Sequence, residues 1–303
     1  YFSNIASKKV AQRRMSVPQV KGFFDPNSHT ISYVVFDQDS KQSAVIDSVL
    51  DFDYASGAIS YDLADQILAY IQKLDLNVVW HIETHVHADH LSAAPYLQDK
   101  LGGQLMISRE ITEVQKIFGK VFNAGTEFER DGSQFDRLLD NDDSYHLGNF
   151  LGRAIHTPGH TPACMAHIIG DAVFVGDTLF MPDGGTARAD FPGGDARILY
   201  RSIHKILALP DTTRLFVCHD YMPGGREVAW QTTVGEQKQK NIHIGGGVSE
   251  DDFATMREAR DAKLSMPRLI MPSIQVNMRA GHMPPSEENG EIYLKVPVSG
   301  LIR

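Results

Sequence analysis

Cysteine is scarce: Cys164 and Cys218 are the only two in 303 residues. They are too few for a disulfide framework, and their spacing does not suit a zinc motif. A reducing compartment is therefore expected, the cytoplasm in a bacterium or the mitochondrial matrix in a eukaryote. Long apolar runs are missing too. No stretch approaches the roughly 18 uninterrupted apolar residues of a membrane-spanning helix, so no membrane partner is expected. Positive charge is in deficit, with 29 Lys and Arg against 38 Asp and Glu and a net charge of −9. That excludes the broad basic face that binding a nucleic acid requires. Any anionic substrate must be drawn by a local cluster of arginines.

No internal repeat or low-complexity tract is visible either. What remains is 42% hydrophobic and 22% charged, enough to bury about three quarters of the surface that the unfolded chain exposes. The opening YFSNIASKKVAQRRM has basic pairs but no apolar signal core. Residues 1–14 are expected to be a tag remnant or flexible N-terminus, with residues 15–303 as one domain and a C-terminal extension from about 222.

Hydrophobic periodicity predicts two α/β halves. SHTISYVVFDQDSKQSAVIDSV reads as a β-hairpin, Asp62 to Leu76 as an amphipathic helix, and VVWHIET as a buried strand. Leu91 to Leu101 is expected as a helix, QLMIS as a strand and Ile111 to Phe122 as a further helix, followed by a weakly structured acidic stretch around Asp131 to Asp143. GRAIHT, CMAHIIG and AVFVGD then read as strands, Ala196 to Leu209 as a helix and RLFVCHD as a strand. A last helix is expected from Glu250 to Leu264, before the Pro- and Met-rich MPRLIMPSIQVNMRAGHMPP.

The informative segment is THVHADH, which places His85, His87, Asp89 and His90 directly after a strand. Residues two apart on an extended segment point the same way, and a sharp turn returns the Asp-His pair to the same mouth. Imidazole and carboxylate together suit Zn, Fe or Mn. GHTP (His160), GDTLF (Asp177) and CHDY (His219) each put one more ligand-type side chain just past an apolar strand, where sites of α/β sheets gather. The two cysteines flank apolar strand residues and read as buried structural thiols.

HxHxDH, then GHTP, GD and a late His, is the pattern of the metallo-β-lactamase fold, and the chain resembles that family over nearly its whole length. The resemblance implies an α/β architecture, an αβ/βα four-layer sandwich with the metal cleft at one edge of the two sheets. In dinuclear members the first metal takes the positions of His85, His87 and His160, the second takes Asp89, His90 and His219, and Asp177 bridges. All seven are present, so the ligands alone leave one metal or two open. Flavodiiron members carry Glu where this chain has His87, and the net charge disfavours the family's nucleases.

GDTLFMPDGGTARADFPGGDARILYRSIHKILALP, HDY and NMRAG are similar to the persulfide dioxygenase branch, the ETHE1-like sulfur dioxygenases. Within it, QVNMRAG and NGEIYLKVPVSG look most like bacterial β-lactamase-like hydrolases linked to sulfide detoxification. Ala280 stands where human-type members have Cys. This resemblance implies one Fe(II) per chain held by His85, His160 and Asp177, with His87, Asp89, His90 and His219 orienting ligands and waters. It implies oxidation of glutathione persulfide by O2 and water to sulfite and glutathione, a homodimer, and a sulfurtransferase of the rhodanese type as partner. Arg188, Asp190, Tyr221 and Arg279 are the expected substrate-binding residues. The alternative is a glyoxalase II-like hydrolase of glutathione thioesters with a dinuclear Zn or Fe centre.

Overall fold

The computed structural model describes residues 17–298 and 300; the expectation for residues 1–14 lies outside them. The chain opens on an antiparallel meander of β1 (Gln19–Phe24), β2 (Ile31–Phe36) and β3 (Gln42–Ile46). All six residues of β2 are buried, because the strand is covered on both faces. A small sheet of β4 (Val49–Phe52) and β5 (Ile59–Ser60) leads to α1 (Asp62–Lys73). This helix buries Leu63, Ile67 and Ile71 and carries Asp62 and Asp65 in its first turn, where they favour the helix dipole.

The chain then alternates through β6 (Asn77–Ile82), β7 (Leu91–Ser92), α2 (Ala94–Leu101), β8 (Gln104–Ser108), α3 (Ile111–Val121) and β9 (Arg137–Leu139). The first six-stranded sheet has the order β1-β2-β3-β6-β8-β9, with β3, β6, β8 and β9 parallel neighbours. The second half supplies β10 (Ser144–Leu147), β11 (Phe150–His156), β12 (Met165–Ile169), β13 (Ala172–Phe174), α4 (Ala196–Leu207), β14 (Arg214–Phe216) and β15 (Gln231–Thr233). These six strands form the second sheet in sequence order, and α4 makes the crossover between the parallel β13 and β14. The chain ends with α5 (Val234–Lys240), α6 (Glu250–Asp261) and α7 (Ile270–Asn277).

The sheets pack face to face through Ile31, Tyr33, Ile46, Ile82, Phe174 and Phe216, all nearly inaccessible. On the outer face of the first sheet α1 and α2 bury Leu63, Ile67 and Leu97 with Val34, Val45 and Val78. On the outer face of the second, Leu199 and Ile203 of α4, Val234 and Phe253 lie with Val173 and Leu215. The result is the expected four-layer αβ/βα sandwich. Each helix buries one apolar stripe against a sheet that no single layer could cover alone.

Three segments depart from the sequence expectations. Leu91 and Ser92 pair with β4, so the helix expected from Leu91 starts at Ala94. Arg137–Leu139, inside the stretch read as weakly structured, pairs with the edge of the first sheet; three residues of strand carry too little pattern to be seen locally. The Pro-rich segment contains α7 because Pro272 sits in its first turn, where a backbone N–H has no helical partner to lose. Downstream of residue 222, β15 adds an edge strand to the second sheet and α6 packs on α4. Among the described residues no helix is long and apolar enough to cross a membrane.

Candidate metal centre

All the sequence-predicted metal-binding side chains follow strand ends on one edge of the sandwich. His85 to His90 follow β6, His160 follows β11, Asp177 lies in a single 3-10 turn after β13, and His219 follows β14. The turn before His160 depends on Gly159 (φ +132°), where an added Cβ would lie 2.3 Å from the backbone nitrogen of Leu199 in α4. Only glycine lets the chain pass so close to the helix.

His85, His160 and Asp177 are buried, and one ligand atom of each lies within 4.8 Å of the others. Asp177 Oδ2 is 3.9 Å from His85 Nε2 and 3.5 Å from His160 Nε2. The tautomers follow from the hydrogen bonds. Thr84 Oγ1 donates to Asp47 Oδ2 (2.9 Å), so its lone pair accepts from His85 Nδ1 (3.0 Å). His160 Nδ1 donates to the carbonyl of Arg188 (2.8 Å). Both rings therefore present a bare Nε2 lone pair to the same point, as metal-ligating imidazoles do. Burial, with His87 and His160 nearby, pushes His85 well below the usual histidine range, toward that neutral form. His85 Nε2 is buried without a hydrogen-bond partner, and such an orphaned atom fits a bound cation; Asp177 Oδ1 faces His219 Nε2 at 3.2 Å.

His87 behaves differently. Its Nε2 lies 3.0 Å from Asp47 Oδ1 and 3.4 Å from Glu83 Oε2, both buried. Burial opposes a charge on the ring, but Asp47 and Glu83 outweigh it and raise His87 well above the usual range. Its Nδ1 is buried and unpartnered. The remaining predicted residues cluster beside it. Asp89 Oδ2 accepts from Thr30 Oγ1 (3.0 Å), pairs with His90 Nδ1 (3.1 Å) and lies 3.7 Å from His219 Nε2. Despite burial, His219 and His90 hold Asp89 well below the usual carboxylate range. His87, Asp89 and His90 form a second candidate donor set, and His87, Cys218 and His219 a third.

The cysteines are unpaired and buried, and burial pushes Cys164 up to about 12 and Cys218 well above its usual value. Neither is available as a thiolate nucleophile in this form.

A cleft of 460 Å³ opens over the cluster, lined by Asp89, His160, Asp177, His219, Tyr221 and Arg188 among others. Arg188 is fully engaged, with Nε and one terminal nitrogen on Asp190 (2.6 and 2.7 Å) and the other on the carbonyl of Ser265 (2.7 Å). Asp190 does not line the cleft; it neutralises Arg188. The Gly184-Gly185 turn spends both N–H groups on the carbonyl of Met181, so it has none for an anion.

Arg279 is not in the cleft, contrary to its expected role. The apolar residues of α7 pack into the cluster around α3, and Ala280 (φ +59°) and Gly281 (φ +83°) turn the chain directly afterward. Arg279 is left stacked 4.2 Å over Phe128 at a separate cavity. The arginines that do line the cleft are Arg188, Arg257, Arg260 and Arg268. Arg257 is tied to Asp261 and the carbonyl of Thr186, whereas among the described residues Arg260 and Arg268 make no ion pair.

Sequence reasoning missed these three arginines, although Arg257 and Arg260 stand three apart on a helix, a spacing that puts them on one face. It also missed Asp47, Glu83 and Asn277. Asn277 donates from Nδ2 to the carbonyls of His87 (2.9 Å) and His90 (2.8 Å) and accepts from Ser92 N (2.8 Å), tying the metal loop to α7. A carboxylate directly after the apolar strand SAVID was the available signal for Asp47.

Comparison with known proteins agrees with this architecture. The chain is 56% identical over 292 residues to a protein of Burkholderia pseudomallei named "Probable metallo-hydrolase", covering 93% of this chain and 99% of that one. It is 45% identical to Glyoxylase B2 of Dictyostelium discoideum, with 93% and 98% covered. To the mitochondrial persulfide dioxygenase ETHE1 of Mus musculus it is 30% identical, with 92% and 98% covered. The crystal structure of ETHE1 from Myxococcus xanthus superposes with a TM-score of 0.69 at 28% identity, covering 87% of this chain and 100% of that one. The model of the metallo-beta-lactamase superfamily matches residues 26–219, a segment that contains every one of the strand-end His and Asp residues described above. With more than half of its length inside that match, the chain belongs to the metallo-β-lactamase superfamily.

Proposed function

We propose that the protein is a persulfide dioxygenase that converts glutathione persulfide, O2 and water to glutathione and sulfite. In the balanced reaction the sulfane sulfur is oxidised by four electrons, O2 accepts them, and the S–S bond is broken with a proton returned to the glutathione thiolate. The observation that carries this reading is that one ligand atom each of His85, His160 and Asp177 lies within 4.8 Å of the others, in a donor set that His87 does not join. His85 and His160 aim bare Nε2 atoms at Asp177, whereas the Nε2 of His87 is held by Asp47 and Glu83. Two His and one carboxylate are the donor set of the non-haem iron oxygenases. Fe(II), when bound by His85, His160 and Asp177, would supply the open coordination positions that a persulfide sulfur and O2 require.

The protein's own part is binding and orientation. Arg260 and Arg268, which line the cleft and make no ion pair among the described residues, are suited to the two carboxylates of a glutathione carrier. Tyr221 flanks the mouth, its ring stacked on His219 at 5.9 Å. The carbonyl of Arg188 and the Thr84-Asp47 pair keep the ligand imidazoles in their tautomers.

A second reading has its own support. The unpartnered Nδ1 of His87 and Nε2 of His90 lie beside Asp89 and His219, a donor set for a second metal that would suit thioester hydrolysis by metal-bound hydroxide. One experiment separates the two. Protein shown to hold one iron per chain is expected to consume O2 and form sulfite in equal amounts when glutathione persulfide is added. No O2 uptake from that sample, together with thioester cleavage by a two-metal form, would overturn the dioxygenase reading.

A further inference from the structure

A second cavity, of 230 Å³, lies apart from the metal cleft, between the end of α3 and the chain that follows α7. Its charged lining residues are Arg279, Lys295, Glu127 and Glu287, and Phe122 and Met278 are among its apolar walls. Arg279 is the unusual member. Among the described residues its guanidinium makes no hydrogen bond or ion pair, and its Nε is buried without a partner. In a chain of net charge −9 acidic partners are abundant, yet Glu127 acts on Arg279 only through space and without a hydrogen bond, and a half-buried cation with no hydrogen-bonded partner is costly.

The geometry says what would satisfy it. The guanidinium sits 4.2 Å over the buried ring of Phe128, which occupies one face and leaves the in-plane N–H donors at its edge for an acceptor. A planar carboxylate matches that edge with two parallel hydrogen bonds. Lys295, whose Nζ is anchored to the carbonyl of Asn123 (2.9 Å), adds a second positive charge to the lining. Glu127 and Glu287 add two negative ones, which disfavour a dianion such as sulfate or hydrogen phosphate. Apolar walls disfavour a ligand that is polar throughout.

We propose that this cavity is a binding site for a small monocarboxylate, with the carboxylate on Arg279 and a short apolar body against Phe122 and Met278. The site is independent of the reaction at the metal cleft.

The test is calorimetric titration of the purified full-length protein with benzoate, propionate and sulfate at equal ionic strength. Benzoate and propionate are expected to bind saturably, one per chain, and sulfate not. Arg279→Gln is expected to weaken carboxylate binding at least about tenfold, while His160→Ala, at the metal cleft, leaves it unchanged. Glu287→Gln, at an exposed position whose side chain makes no hydrogen bond or ion pair among the described residues, is expected to tighten binding by removing a like charge, and it keeps the test decisive should Arg279→Gln fail to fold. The proposal is overturned by absence of saturable carboxylate binding, by sulfate binding as well as benzoate, by binding lost in His160→Ala, or by binding unaffected in both Arg279→Gln and Glu287→Gln.

Discussion

Asp47 accepts hydrogen bonds from Thr84 N (2.8 Å), Thr84 Oγ1 (2.9 Å) and His87 Nε2 (3.0 Å). One buried carboxylate thus orients both His85, through Thr84, and His87, whose Nε2 it holds. Asp47→Asn keeps the shape and loses the charge. It is expected to lower metal affinity about 10- to 100-fold, the usual cost of losing a partner that orients a ligand, as read by competition with a chelator. At the cleft, Arg260→Gln and Arg268→Gln are each expected to raise KM about tenfold, since a hydrogen bond to a charged group contributes about 1.5–3 kcal/mol, while kcat stays within about twofold. Steady-state rates with glutathione persulfide check this; a fall in kcat at unchanged KM would place these arginines outside substrate binding. The candidate ligand residues were legible because HxHxDH concentrates four of them in six positions. Arg260 and Arg268 were not, because a lone surface arginine reads the same whether it faces solvent or a cleft.

The metal loop is held by an element far away in sequence. Asn277 at the end of α7 spans the carbonyls of His87 and His90 and the N–H of Ser92, so α7 is a buttress for the loop that carries four of the seven candidate ligands. Asn277→Ala leaves three buried backbone groups unsatisfied. It is expected to destabilise the protein by about 1–3 kcal/mol, measured by urea unfolding, and to weaken metal binding as well. Unchanged unfolding would mean that water replaces the amide. The helices α1, α3 and α4 were readable from the sequence because each writes its own apolar stripe at a period near 3.6. The short strands β9 and β15 were not, since each has only three residues and exists by pairing with a neighbour already in place. The same holds for the break between β7 and α2, which pairing with β4 decides.

Across the whole molecule, buried polar groups set the response to acid. His167 is fully buried on β12, its Nδ1 3.0 Å from Tyr145 Oη, and burial pushes it down to about 4 from its ordinary 6.5. The folded protein therefore refuses a proton that the unfolded chain accepts, and stability falls as the pH drops from about 6.5 to about 4, by up to about 1.4 kcal/mol per unit for this histidine. His243, also pushed down to about 4 by burial and by Arg257 and Arg260, acts in the same window. Urea unfolding between pH 7 and pH 5 is expected to show this loss, and His167→Gln to have a shallower slope than the unsubstituted protein; parallel slopes would remove His167 from the account.

The sequence by itself determined the two α/β halves, the strand-end positions of the candidate ligands and the family, because these rest on local periodicity and on motifs that are contiguous along the chain. The tertiary structure alone decided that His87 turns to Asp47 and Glu83, that Arg260 and Arg268 meet the cleft, and that Arg279 leaves it for a cavity of its own. Those outcomes depend on which residues distant in sequence come within a few ångströms once both sheets are packed, and on where α6 and α7 then lie. No local pattern records such distances. They arise when burial leaves each charged group to find its partner among whatever the fold has placed beside it.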